Sequence, residues 1–136
     1  MSRYSIRCFE LLNADENYII APQARAKQYL NGKFKHVGAC KENAQLEMQN
    51  VMANFDAILV AEKIPNDLNF IVMGFSQEVS VATRWLAIRA IPCTSLILYA
   101  GKVPREFSSE DFKHVSDVQL YVGNQDPYIT ENIVTA

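Results

Sequence analysis

Ser76 and Asp126 are the two side chains whose type and setting suggest covalent chemistry. Ser76 lies in Gly74-Phe75-Ser76-Gln77-Glu78, between an apolar run ending at Met73 and a segment of helical periodicity. A serine on a tight strand-to-helix turn holds its hydroxyl exposed beyond the strand, the arrangement called a nucleophile elbow. Acyl transfer by such a serine also needs an imidazole base, a carboxylate to orient that base, and donors for the oxyanion. Asp126, in Gly123-Asn124-Gln125-Asp126-Pro127, stands after a later strand, where the carboxylate belongs. The backbone N–H of Gln77, the residue after the nucleophile, is the expected oxyanion donor. Each residue also has an ordinary role open to it. Ser76 could cap the following helix, and an Asp before Pro in a Gly-Asn loop is common turn chemistry. The base is harder to place, because the hydrolase order is Ser, then Asp or Glu, then His, and no histidine follows Asp126. His114 precedes the last strand and is expected near the opposite edge of the sheet. His36, in a basic loop, is the remaining candidate for a surrogate base.

These residues need a sheet to hold them. The chain's glycines and prolines fall between periodic segments, which makes the segments readable. Residues 2–12 carry Tyr4, Cys8, Leu11 and Leu12 at helical spacing. Tyr18-Ile19-Ile20-Ala21 reads as a short strand stopped by Pro22, followed by a polar loop from Gln23 to Cys40 with a helical turn around Ala24–Leu30. From Lys41 to Lys63 the apolar residues Ala44, Met48, Val51, Met52, Phe55, Ile58 and Leu59 keep a 3.6-residue period, which predicts a helix. Leu68–Met73 is nearly all apolar, as in a parallel strand covered on both faces. A helix with Val79, Ala82, Leu86 and Ala90 on one face follows the elbow and closes at Pro92. Ser95–Ala100 is another strand, Ser108–His114 a short helix capped by Ser108 or Ser109, and Val118–Val122 the last strand. Strands alternating with helices predict a single α/β domain over residues 1–136. Its expected core is an open, mostly parallel sheet of about four strands flanked by helices. In such sheets ligands bind beyond the carboxyl ends of the strands, which is where Ser76 and Asp126 fall.

A chain of 136 residues that is 49% hydrophobic can bury a core. A net charge of −2 gives no basic surface of the kind that binds nucleic acid. No apolar run approaches the roughly 18 residues of a membrane helix, and the N-terminus has no secretory apolar core, so a cytoplasmic protein is expected. Cys8, Cys40 and Cys93 are far apart and form no C-x-x-C pair, so neither a disulfide framework nor a zinc site is expected. Glycine-rich phosphate loops are absent from the sequence. No cofactor or metal is implied.

With those residues in view, the chain resembles the phospholipase/carboxylesterase family of α/β-hydrolases, which includes the acyl-protein thioesterases. The similarity rests on Ile19-Ile20-Ala21-Pro22-Gln23, on Gly74-Phe75-Ser76-Gln77 with Arg84-Trp85-Leu86, and on Gly123-Asn124-Gln125-Asp126-Pro127. It extends from about Tyr4 to Thr130. It implies a partial α/β-hydrolase fold, Ser76 as nucleophile, Asp126 as triad acid, and a small acyl ester or thioester as substrate. The chain departs from the family in four places. The family's first strand with its His-Gly oxyanion loop has no counterpart here, and neither has the C-terminal segment carrying the catalytic histidine. Glu78 replaces the elbow's second glycine, where its side chain must either clash or turn outward; if it strains the elbow, a Glu78→Gly reversion is expected to raise stability. Val37-Gly38-Ala39-Cys40-Lys41-Glu42 is short where the family has a longer active-site segment. The resulting expectation is a hydrolase homologue, truncated at both ends, that is inactive or weakly active alone. An open edge or central gap in the sheet would favour aggregation or a homodimer, which is among the expected states. Two alternatives stand beside it: a working esterase using His36 or a partner's histidine, and a non-catalytic flavodoxin-like binding module.

Overall fold

The computed structural model describes residues 6–22, 29–30, 33–34, 44–65 and 67–126. The contacts divide the chain into two units, Met1–Lys63 and Ile64–Ala136.

The first unit is dominated by one helix, α1 (Ala44–Glu62). Its predicted apolar face is the less exposed one: Met52 is buried and Met48, Val51, Phe55, Ile58 and Leu59 are half-buried, while Gln45, Glu47 and Gln49 are exposed. The expected helix over residues 2–12 is, among the described residues, a single 3-10 turn at Ile6–Phe9. Asn13 breaks the chain just beyond it, its side-chain oxygen accepting from the Asp15 N–H and its carbonyl from the Asn17 N–H. Tyr18–Ala21 belongs to no strand. Four apolar residues stopped by a proline look like a strand in sequence, but a strand forms only where a neighbour takes up its main-chain groups. Here the fixed contact is a side-chain one, from the Tyr18 hydroxyl to Glu62 Oε2 at 2.7 Å, and it pushes the phenol pKa up. Two short strands, β1 (Tyr29–Leu30) and β2 (Lys33–Phe34), pair antiparallel where a loop is expected. The remainder of that loop, with His36, lies outside the described residues.

The second unit is the α/β part. Three parallel strands, β3 (Ile71–Phe75), β4 (Ser95–Tyr99) and β5 (Val118–Tyr121), lie in that order, with α2 (Gln77–Arg89) joining the first two. Among the described residues the expected sheet of about four strands has three. β3 starts three residues late because Leu68 turns back, its N–H donating to the Pro65 carbonyl. The ladder pairs Ile71 with Ser95 through Phe75 with Tyr99, then Leu96 with Val118 through Tyr99 with Tyr121. Alternation puts Gly74, Leu96 and Leu98 on the face that α2 covers. Leu96 and Leu98 are buried there with Val79, Ala82, Trp85 and Leu86. Thr83, fully buried on α2, satisfies its hydroxyl by donating to the Val79 carbonyl. Phe70 meets the edge of Trp85 with ring centroids 6.5 Å apart. Helix α2 ends where Ala90 turns left-handed, two residues before Pro92. Cys93 is buried beneath this end, and burial pushes its thiol pKa up.

Among the described residues of the second unit, β3 is covered on one face and not on both as expected. Ile71, Met73 and Phe75 point away from α2 and are exposed. Phe75, Tyr99 and Tyr121 stack across the three strands on that face, with centroids 5.7 and 6.2 Å apart. The expected Ser108–His114 helix is a single 3-10 turn, Ser109–Phe112. No helix among the described residues is long and apolar enough to cross a membrane.

Candidate active site

Ser76 links β3 to α2 in a conformation few residues adopt. Its φ is 55° and its ψ −115°. A side chain bearing Cβ is disfavoured there, typically by about 1–3 kcal/mol, and persists only where the surroundings enforce it. Four contacts do so. The Ser76 N–H extends the sheet by donating to the Tyr99 carbonyl at 2.9 Å, and the Ser76 carbonyl accepts from the Val79 N–H at 3.2 Å. Gly74 lets the first turn of α2 lie directly on β3: a Cβ at Gly74 would stand 2.8 Å from both backbone N and Cα of Val79. On the far side Gly101 presses against the turn, where a Cβ would come within 2.4 Å of the Ser76 carbonyl oxygen.

The Ser76 hydroxyl makes no capping bond to α2, and the residue is exposed. The helix-cap role open in the sequence is thereby corrected: Ser76 occupies the N-cap position but does not spend its hydroxyl there. Gln77 is the first residue of α2, so its N–H has no acceptor within the helix. Glu78 lies in the same first turn, exposed to solvent. The close helix–strand approach expected of a glycine at this position is made by Gly74 and Gly101 instead. Glu78 turns outward, and its charge complements the positive end of the helix dipole.

Asp126 is held in the loop after β5, its N–H donating to the Gly123 carbonyl at 3.0 Å. It is half-buried and lines the same cleft as Ser76, a depression of about 840 Å³ beyond the carboxyl ends of all three strands. The cleft also takes in Gln77, Ser80 and Arg84 from α2 and the segment Ala100–Arg105 after β4. Ser76, Asp126 and Gln77 are thus brought together. His114 is not among the lining residues. It sits just before the Cys93–Val115 bridge that opens β4 and β5, at their amino ends, with its Nε2 buried and without a hydrogen-bond partner. His36 lies outside the described residues.

Reading for a triad alone misses the cationic wall of this cleft. Ser76, Ser80 and Arg84 recur every four residues, about 6 Å apart along a helix axis, which is the signal that could have placed Arg84. Arg84 donates to the Ser80 hydroxyl and, at 2.6 Å, to Glu106. The Glu106 carboxyl is held below its usual pKa, first by a bond from its own backbone N–H and also by Arg84. No family model, curated protein or solved structure matches this chain.

Proposed function

We propose that this chain is a serine hydrolase homologue of the carboxylesterase/phospholipase type, built on part of an α/β-hydrolase fold and directed at carboxylic esters or thioesters. One observation carries the reading. Ser76 is locked in a strained backbone state with its hydroxyl unspent, on a cleft it shares with Asp126. Strain of this kind at a cleft-lining serine is what presents a nucleophile beyond a sheet edge. In this role Ser76 Oγ attacks the acyl carbon, the Gln77 N–H receives the developing oxyanion, and Asp126 orients the base.

Among the described residues that line the cleft none is a histidine, so the base is not assigned there. Triad members act as a unit, and losing one typically removes a factor of about 10⁴ to 10⁶ in turnover. Without such a base at the cleft, the chain on its own is expected to be inactive or weakly active. Added imidazole tests this directly. A fluorophosphonate probe should label Ser76 slowly, labelling should accelerate with millimolar imidazole, and Ser76→Ala should abolish it. Folded protein that stays unlabelled at every imidazole concentration would remove the catalytic reading. Fast labelling without imidazole, lost on His36→Ala, would show that the chain supplies its own base.

A further inference from the structure

We propose that the cleft selects acyl substrates carrying an anionic group, a carboxylate or phosphate, and that Lys102 and Arg105 recognise it. This inference rests on the acyl-site reading and deepens it. The chain as a whole has 13 Lys and Arg against 15 Asp and Glu. Among the described residues the cleft reverses that balance: Arg84 on its wall is offset by its ion pair with Glu106, which leaves Lys102 and Arg105 against Asp126. A concave site lined by one sign of charge concentrates ligands of the other sign and speeds their arrival.

The segment that carries Lys102 and Arg105 is fixed at both ends against the elbow. At its start Ala100 turns with φ 50°, and Gly101 is buried against Val79 and the Ser76 carbonyl. At its end Glu106 is tied to Arg84 on α2, and the Phe107 N–H donates to the Pro104 carbonyl at 3.3 Å, closing a turn around Arg105. Arg84 serves as the strap, its guanidinium shared between Ser80 and Glu106. Lys102 and Arg105 are exposed on the cleft wall with their backbone positions set in advance, which lowers the entropy lost on gripping an anion. Phe75, Val103 and Pro104 supply apolar lining beside them. That combination fits a short acyl chain ending in, or esterified to, a charged group.

The test uses three fluorophosphonates of equal length, one neutral, one ending in a carboxylate and one ending in a phosphate, with imidazole present. At low salt an anionic probe should label Ser76 about tenfold faster than the neutral one, and the faster of the two anions names the group. Charge reversal at both positions, Lys102→Glu with Arg105→Glu, should invert that ratio, and 0.5 M salt should flatten it. Equal rates for all three probes in the unmodified chain, or a preference that survives the double reversal, would overturn the proposal. Should Ser76 react with no probe, the acyl reading fails while the anion site is still decided by titrating methyl phosphate against the intact chain. Saturable shifts at Lys102 and Arg105 amides, lost in the double variant, uphold it, and their absence at millimolar ligand refutes it.

Discussion

Two serines in the second unit each stand at the N-cap of a helical turn, and they do opposite things. Ser108 is extended, with φ −119° and ψ 175°. Both its N–H and its hydroxyl donate to Asp111, at 2.8 and 3.0 Å, and these bonds hold the Asp111 carboxyl below its usual pKa. Its N–H and hydroxyl are both spent on the carboxylate of the turn's third residue, and the bond from the N-cap N–H to that carboxylate is the reciprocal half of a capping box. Ser76 begins a longer and better-packed helix, yet it is held at positive φ and gives that helix no side-chain bond. A residue type equally able to cap has been placed where it cannot relax and its hydroxyl stays open. That contrast, more than the G-F-S-Q pattern, separates a site from a turn.

The largest effect should come from removing the contacts that enforce the strain. At Gly101 an added Cβ would lie 2.3 Å from Val79 Cγ2 and 2.4 Å from the Ser76 carbonyl oxygen, a backbone atom, so the turn itself would have to shift. Gly101→Ala should destabilise the protein by about 3 kcal/mol, at the upper end for overpacking. Gly123 has open space around its Cα, so Gly123→Ala should change stability by less than about 0.5 kcal/mol. Urea midpoints measure both. Similar losses at the two positions would mean that the elbow is not pressed from the β4 side.

The two serines themselves provide the next comparison. Ser108→Ala should lose about 1 kcal/mol with its cap, whereas Ser76→Ala should stay within about 0.5 kcal/mol, because an exposed hydroxyl with no capping bond is removed. Ser76→Gly should stabilise the fold by about 1 kcal/mol. Glycine tolerates the mirror image of the extended region, and relief of about 1–3 kcal/mol outweighs the 0.4–1 kcal/mol or so that a freer unfolded chain costs. Thermal unfolding of the three variants checks the set. A Ser76→Ala loss equal to that of Ser108→Ala would make Ser76 an ordinary cap.

The elbow was readable because its pattern is local: an apolar run, a Gly two residues before a Ser, then helical spacing at Val79, Ala82 and Leu86. β4 and β5 were readable for the same reason, each bounded by Gly or Pro. What failed depends on neighbours that sequence does not display. Tyr18–Ala21 has the composition of a strand and no ladder to join. The apolar run Leu68–Met73 suggested a strand covered twice, yet Ile71 and Met73 are exposed on the face that carries the stacked rings of Phe75, Tyr99 and Tyr121. The cationic wall escaped because Arg84, Lys102 and Arg105 belong to two elements and meet only once Gly101 brings the β4 loop onto the elbow.

Glu78 sharpens the comparison by the smallest margin and with the sign reversed from the sequence-based expectation. A glutamate in place of the elbow's second glycine suggests a clash, so that Glu78→Gly should stabilise. In the fold the tight approach is made by Gly74 against Val79, and Glu78 points to solvent in the first turn of α2. Replacing it with glycine gives up a favourable charge at the positive end of a helix dipole, about 0.3–1 kcal/mol, and lowers helix propensity by about 0.5 kcal/mol. The expected result is a loss of about 1 kcal/mol in urea unfolding, with part of it screened away at high salt. A gain in stability would place the strain of the elbow at Glu78 rather than at Ser76, and the contrast with Ser108 would then rest on the wrong residue.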